Sequence, residues 1–321
     1  MADQKEQIEL AQMVGIEQTG LRLDQAAAQL FPDFSRARLQ EWIKEGQLTL
    51  NGEPGKSKDK VLEGDRLVLL AELEAVTEFL PEEMPLSIIH ADEDVIVVNK
   101  PVGLVVHPAA GNYTGTLLNG LLARFPELAS VPRAGIVHRL DKDTSGLMVV
   151  ARNLTAHQEL VAQLSQRTVS RHYHAVVHGV ATAGGTIDAP IGRHQHQRQK
   201  RAVTDADDAR PAVTHYRVVN RFRSHSHLLV QLETGRTHQI RVHMAHIGMP
   251  IVGDQVYGGR LKPPRGAAPA LLEFLQQFKR QALHAGVLGF NHPATGEYME
   301  WQAPLPSDMQ ELLRLLELDR E

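Results

Sequence analysis

The chain has 321 residues, enough for two domains or for one large domain with an appendage. It contains no cysteine, which excludes disulfides, cysteine-ligated zinc and any thiol nucleophile. A formal charge of -4 lacks the basic excess typical of nucleic-acid-binding domains, so any such binding has to rest on local basic clusters.

No apolar run approaches the ~20 residues of a membrane-spanning helix. Met1 to Gln12 holds no signal-peptide core, so a cytoplasmic location without a membrane partner is expected. Residues 1–17 show weak periodicity and read as a tail. Leu23, Ala26, Ala27 and Leu30 then fall at i, i+3, i+4, i+7, one face of a helix, and Pro32 ends that run. Ser35 is placed to cap a second helix with Leu39, Trp42 and Ile43 on one face and Gly46 as its stop. Leu48-Thr49-Leu50 leads into Asn51-Gly52, a two-residue hairpin signal, and Leu67 to Leu70 closes the unit. Ala71 to Pro85, with five glutamates and two prolines, reads as an acidic linker.

From Leu86 the texture changes. Ile88-Ile89, Val95 to Val98 and Val105-Val106 read as short strands, and Thr116 to Phe125 as a helix. Asn153 caps a helix with Leu160, Val161 and Leu164 inward. Strands are predicted at Tyr173 to Val180, Ala212 to Val219, Leu228 to Leu232, Ala282 to Phe290 and Tyr298 to Trp301. A last helix starts near Ser307, with Gln310 completing a capping box. Strands outnumber helices and do not alternate with them. The fold class is therefore α+β with a mixed, mainly antiparallel sheet. The expected organisation is a tail (1–17), a small domain (18–70), a linker (71–85) and a larger domain (86–321).

Four blocks carry possible chemistry. His138-Arg139-Leu140-Asp141-Lys142-Asp143-Thr144-Ser145-Gly146 sets a carboxylate in a polar turn between apolar runs at Gly135 to Val137 and Leu147 to Val150. Asn99-Lys100-Pro101-Val102-Gly103 is a tight turn. Glu233 to His243 contains Gly235-Arg236-Thr237-His238-Gln239-Ile240-Arg241, in which Gly235 ends a strand and Arg241 can reach back toward the sheet. Arg171-His172-Tyr173 begins a strand. Arg193 to Arg201 adds Arg198 and Lys200 without an acid and reads as an exposed basic loop or hairpin tip. His225/His227 and His243/His246 are close pairs, but no carboxylate stands at zinc-ligand spacing beside them, so no metal site is expected. Ser145 lacks the Gly-x-Ser-x-Gly elbow of a serine hydrolase.

The four blocks, with Pro250 to Gly259, resemble the RNA pseudouridine synthases of the RluA/RluD type, and the resemblance runs from about residue 18 to 310. Arg22-Leu23-Asp24, Ser35 to Arg38 and Gly46 to Gly52 resemble the S4 RNA-binding domain. By that resemblance Asp141 is the essential catalytic residue, Arg241 its salt-bridge partner, and Tyr173 lies against the target uracil. The RNA contacts expected are Arg36, Arg38 and Lys44 in the S4-like unit. In the larger domain they are Lys100, His138, Arg139, Arg193, Arg198, Lys200, Arg201, Arg236 and His238. Asp254 and Tyr257 read as scaffold. The implied substrate is large-subunit (23S) ribosomal RNA, in an assembly intermediate, acted on by a monomer.

The chemistry is consistent with these residue types. Pseudouridine formation breaks N1–C1′, turns the uracil and rejoins it through C5, so nothing is oxidised, no group leaves and no cofactor is needed. One ionised carboxylate is required, either to attack C1′ or to take the C2′ proton. A closed site raises a carboxyl pKa, which a nearby arginine opposes. A non-catalytic RNA-binding assembly factor would not need Asp141, Tyr173 and Arg241 together. A glycoside hydrolase usually needs two opposed carboxylates.

Overall fold

A computed structural model of the chain describes residues 6–31, 34, 36–73, 79–108, 112–195, 197, 200–259, 264 and 266–320. Two units are present, residues 1–78 and 79–321. The first contains β1 (Glu6–Met13), α1 (Leu23–Leu30), α2 (Arg36–Glu45), β2 (Leu48–Leu50), β3 (Glu53–Pro54) and β4 (Arg66–Leu73). Its antiparallel sheet runs β1-β4-β2-β3. The helical spacing in α1 and α2 puts Leu23, Ala26, Ala27, Leu39, Trp42 and Ile43 in one core with Leu48, Leu67 and Leu69. Full burial of each large side chain contributes about 1.5–3 kcal/mol. Asn51 and Gly52 both have positive φ, the conformation a two-residue hairpin turn requires.

The tail reading fails for residues 6–13. They form β1, paired along its length with β4 some sixty positions away in sequence, from Glu6 with Leu73 to Met13 with Arg66. Leu10 and Met13 stay exposed, so the strand is held by its backbone ladder and leaves no burial period to read. Ser35 lies outside the described residues.

The second unit runs β5 (Ile88–Ala91), β6 (Val95–Lys100), α3 (Leu117–Arg124), β7 (Ser145–Ala151), α4 (Leu154–Gln166), β8 (Ser170–His178), β9 (Gly185–Asp188), β10 (Ile191–Arg193), β11 (Arg201–Val203), β12 (Val213–Arg221), β13 (His225–Leu232), α5 (Gln239–His246), α6 (Pro269–Gln277), β14 (Leu283–Asn291), β15 (Tyr298–Gln302) and α7 (Ser307–Leu318). The main sheet is ordered β5-β6-β7-β14-β8-β13-β12-β9, with β15 on β14. Its one parallel pairing is β7 with β14, and the remaining pairings are antiparallel. One apolar cluster joins the sheet to α3, α5, α6 and α7, and another packs α4 against Val95, Val97, Leu147 and Val149. The central strands are covered on both faces, which is why β7 is buried at every position.

Several local expectations are corrected. Val105-Val106 is not a strand: its two carbonyls accept the Leu117 and Leu118 N–H groups, two of the orphan donors at the start of α3. Before the Asp141 turn, Ile136 makes a single bridge to Val150 in place of a strand. Val161 is 41% exposed, and Leu160 carries the inward face of α4. Ser307 lies inside α7, whose N-cap is Pro306, and Gln310 donates to the Leu305 carbonyl. The stretch taken as linker divides three ways. Residues 71–73 belong to β4, 74–78 lie outside the described residues, and Phe79 to Pro85 belongs to the second unit. There Phe79 packs on the core, Asn119 Nδ2 donates to the Leu80 carbonyl, and the Glu82 carboxylate accepts from Gly115 N. β9 and α6 give too short or too mixed a signal to be read in advance.

Candidate active site

A cleft of about 620 Å³ opens where the Asp141 turn, the C-terminal end of α4, the start of β8 and the β13–α5 loop converge. Asp141, Tyr173, His138, Arg139, Arg236, His238 and Arg241 all line it. The turn is closed by Thr144 N donating to the Asp141 carbonyl at 3.0 Å. Directly after it, Gly146 is obligatory: its φ is +119° and a Cβ there would lie 2.2 Å from the Ala285 carbonyl oxygen. This glycine lets β7 and β14 meet immediately behind the carboxylate.

Lys100, read from sequence as an RNA contact, is a structural residue. It is 1% exposed, and its ammonium donates to the carbonyls of Pro101, Leu104 and Lys142 at 2.8, 3.0 and 2.9 Å. Gly103 N donates to the same Lys142 carbonyl. The Lys-Pro-x-Gly turn is thereby fastened to the turn that presents Asp141. Burial pulls Lys100 down to about 8, against the pull of Asp143 and Asp141, so at pH 7 it is charged and its three N–H groups match three acceptors. Lys100→Met is expected to cost about 3 kcal/mol or more, because three carbonyls lose charged donors. Urea denaturation reads this as a lowered midpoint.

Arg241 Nη1 donates to Asp141 Oδ2 at 2.8 Å. The rest of the guanidinium is gripped by Asp254, with Nε to Oδ2 at 2.7 Å and Nη2 to Oδ1 at 2.9 Å. Asp254 Oδ1 also accepts from Val256 N and Tyr257 N, and the guanidinium lies 5.1 Å from the centre of the Tyr257 ring. Burial opposes the charge on Arg241, but the Asp254 hydrogen bonds and the two carboxylates outweigh it and raise its pKa. Burial likewise opposes ionisation of Asp254, and Arg241 overcomes it. The result is a fixed ion pair with one N–H aimed at Asp141, whose side chain keeps 17% of its surface open. Sequence reasoning set Asp254 aside as scaffold. Its 13-residue separation from Arg241 shows no period, so only the tertiary fold joins them.

His238 sits at positive φ ahead of α5, with Nε2 3.8 Å from Asp141 Oδ1 and Nδ1 2.9 Å from Tyr257 Oη. Arg201 N donates to that same Oη. The Tyr257 phenol oxygen thus ties the imidazole to the β10–β11 hairpin. Burial lowers the His238 pKa despite Asp141, so the ring is neutral at pH 7. His138 is also not a cation. Its Nε2 accepts from Val149 N at 3.1 Å, and burial together with Arg171 pushes it down to about 3. Tyr173 is 6% exposed, and burial raises its phenol pKa.

The other expected RNA contacts are placed as follows. Arg139 is exposed, and Arg236 is held by Nε donation to the Pro211 carbonyl. Arg193 and Arg201 pair across β10–β11, with Lys200 at the tip, so the basic stretch is a hairpin; Arg198 lies outside the described residues. Three aspartates, Asp205, Asp207 and Asp208, follow the basic stretch at once, and Asp208 accepts from Arg193 N. In the first unit, Arg36 forks onto the fully buried Asp24, Arg38 pairs with Glu41 over the Trp42 ring, and Lys44 is exposed in the last turn of α2. Arg36 is thus committed to an internal ion pair. Among the described residues Asp92, Asp94 and His292 bring metal-type ligand atoms together. None lines the cleft, and Asp92 already accepts from Asp94 N, Val95 N and two histidines.

The family model described as RNA pseudouridylate synthase matches residues 94–246, and the S4 domain model matches 21–67. The chain is 60% identical over 314 residues to "Ribosomal large subunit pseudouridine synthase D" of Pseudomonas aeruginosa, covering 98% of each. It is 52% identical over 317 residues to the protein of the same name from Escherichia coli K12, covering 98% of this chain and 97% of that one. Among solved structures, "Human RNA Pseudouridylate Synthase Domain Containing 4" superposes with a TM-score of 0.57 at 27% identity, covering 72% of this chain and 93% of the other. A similarity of that extent, running through the turn, the strand and the helix that build the cleft, places the chain in the RNA pseudouridylate synthase family, with an S4 domain at its N-terminal side.

Proposed function

We propose that the cleft converts uridines of large-subunit ribosomal RNA to pseudouridine, with Asp141 as the reacting carboxylate. The observation that carries this reading is the 2.8 Å Arg241–Asp141 bond inside a cleft that also holds Tyr173. The guanidinium holds the carboxylate in place with a charge-assisted hydrogen bond, and Asp254 stops the guanidinium from swinging away. Asp141 attacks C1′ or takes the C2′ proton as N1–C1′ breaks. The base turns, C5 bonds to C1′ as the Asp141 oxygen leaves it or as Asp141 returns the proton to C2′, C5 loses its proton and N1 gains one. Tyr173 lies against the ring during this rotation. A nucleotide inside a helix has to be extruded to reach Asp141.

Arg139, Arg193, Arg201 and Arg236 meet the phosphates around that nucleotide, and Arg38 and Lys44 serve the S4 domain. Support comes from their positions at the cleft, on the hairpin and on α2. The chain is taken to work as a monomer. The naming of the relatives after the large subunit supports an assembly intermediate as substrate, in the cytoplasm.

The test is tritium release from [5-³H]uridine-labelled 23S RNA, with free RNA and isolated large-subunit precursors run side by side. Stoichiometric release is expected, and none from either substrate would remove the reading. Arg241→Lys is expected to lower the rate by about 10²-fold, because a point charge cannot hold Asp254 and Asp141 together in one plane. The same release assay reads this loss.

A further inference from the structure

Arg171 is as deeply buried as Arg241 but lacks the carboxylates that Arg241 has. It is 6% exposed, and among the described residues no carboxylate lies within ion-pair distance of it. Nη2 has one acceptor, the Glu233 carbonyl at a long 3.3 Å, and Nε has none. Removing a guanidinium from water without a counter-charge costs several kcal/mol. A buried, uncompensated charge in a cleft marks a place where the opposite charge arrives with the ligand.

The position of Arg171 indicates which charge that is. β8 alternates its faces, so Arg171 and Tyr173 share one side, both buried and roughly 7 Å apart along the strand. Both line the cleft with Asp141. Gly235 faces the guanidinium from the other wall: a Cβ there would lie 2.9 Å from Nη1, so this berth depends on the missing side chain. Arg133 and Arg139 line the same cleft but are exposed, which suits phosphates that stay at the water boundary. The depth of Arg171 associates it with the base.

We propose that Arg171 is a catalytic residue that takes up the negative charge of the uracil as it leaves C1′. When N1–C1′ breaks, its electron pair stays on N1 and spreads onto O2 and O4. C1′ is satisfied by a bond to an Asp141 oxygen, or by loss of the C2′ proton to it. Arg241 is poorly suited to the uracil, because two carboxylates already neutralise its charge and three of its five N–H groups are committed to Asp141 and Asp254. The charge disappears once C5 bonds to C1′, so the interaction favours the intermediate and the transition states beside it over bound substrate. The proposal rests on the reading of Asp141 given above.

The experiment uses the full chain and a ribosomal RNA transcript under single-turnover conditions. Arg171→Gln is expected to slow the chemical step by about 10²–10³-fold, while the dissociation constant for RNA stays within about threefold. Arg171→Lys, which keeps the charge, is expected to stay within about tenfold of wild type. The discriminating arm replaces the target uridine with 5-fluorouridine, whose base leaves more readily as an anion, and follows loss of intact 5-fluorouridine from nuclease digests. The deficit of Arg171→Gln is expected to shrink there by about tenfold. An equal deficit on both substrates overturns the proposal in favour of a structural role. A variant that loses RNA affinity yet turns over at the wild-type rate when saturated overturns it in favour of a phosphate contact. Should Arg171→Gln not fold, Arg171→Met, which removes the charge but keeps an unbranched side chain, makes the same distinction against both substrates. An active Asp141→Asn chain sinks the parent reading, whatever Arg171 does, so the two failures are told apart.

Discussion

Asp141→Asn is expected to yield a folded chain that binds RNA and forms no pseudouridine. The substitution is nearly isosteric, and the Thr144 N–H bond that closes the turn goes to the main-chain carbonyl, which is unchanged. Asp254 continues to neutralise Arg241 through two hydrogen bonds, so the buried guanidinium is not orphaned. The expected stability cost is therefore about 1 kcal/mol. A variant that removed both carboxylates would cost far more, because breaking a buried pair leaves a charge without a partner. The amide neither attacks C1′ nor takes a proton, so the rate falls by at least about 10⁴-fold. Tritium release measures the rate, and a thermal melt separates chemistry from folding. Appreciable product from a chain that melts normally would remove the mechanism.

A second large effect is expected from acid. The chain has 17 histidines, and many of them are buried and kept neutral. Burial, helped by a neighbouring cation, holds His138 down to about 3. Burial holds His225, His227 and His284 down to about 4. Their hydrogen bonds show why a proton is unwelcome. His174 Nδ1 meets His227 Nε2 at 3.0 Å, which needs one donor and one acceptor, and His284 Nδ1 meets Ser145 Oγ at 2.9 Å. His225 stacks on His178 with Nε2 buried and unpartnered.

For each of these four, the folded pKa is below the unfolded value of about 6.5. The unfolded chain therefore binds protons that the folded chain refuses, and stability present above pH 6.5 is lost as pH falls toward 4. By pH 5 each histidine costs roughly 2 kcal/mol. Four of them approach the whole stability of an ordinary domain, about 5–15 kcal/mol. Urea midpoints measured from pH 7.5 to 5 are expected to fall steeply, with proton uptake on unfolding. A flat profile over that range would mean the sheet histidines are protonated without penalty. His227→Asn or His284→Asn is expected to reduce the slope.

The motifs and the helical periods were legible in the residues themselves. α1 and α2 follow from apolar spacing, the β2–β3 hairpin from Asn51-Gly52, and the cap of α4 from Asn153, whose side chain accepts from Ala156 N. Asp141, Tyr173 and Arg241 could be named because the short runs they stand in resemble the motifs of a known family, and the fold brings all three to one cleft. Signals of this kind are local, and local sequence is enough to carry them.

What the residues did not disclose depends on distant partners. Lys100 reads as a free cation until three carbonyls, one of them 42 positions away, enclose its ammonium. Asp254 reads as part of a loop until Arg241 lies across it, and Gln281 shows nothing until its Nε2 donates to Thr144 Oγ1 at 2.9 Å. β1 has no apolar period because its bonds are main-chain ones to β4. The sequence by itself determined which side chains could do the chemistry. The tertiary structure decided which charges are neutralised, which are buried without a counter-charge and which face solvent. Those properties depend on desolvation and on distances of a few ångströms between segments far apart in the chain, and spacing along one strand or helix holds no record of them.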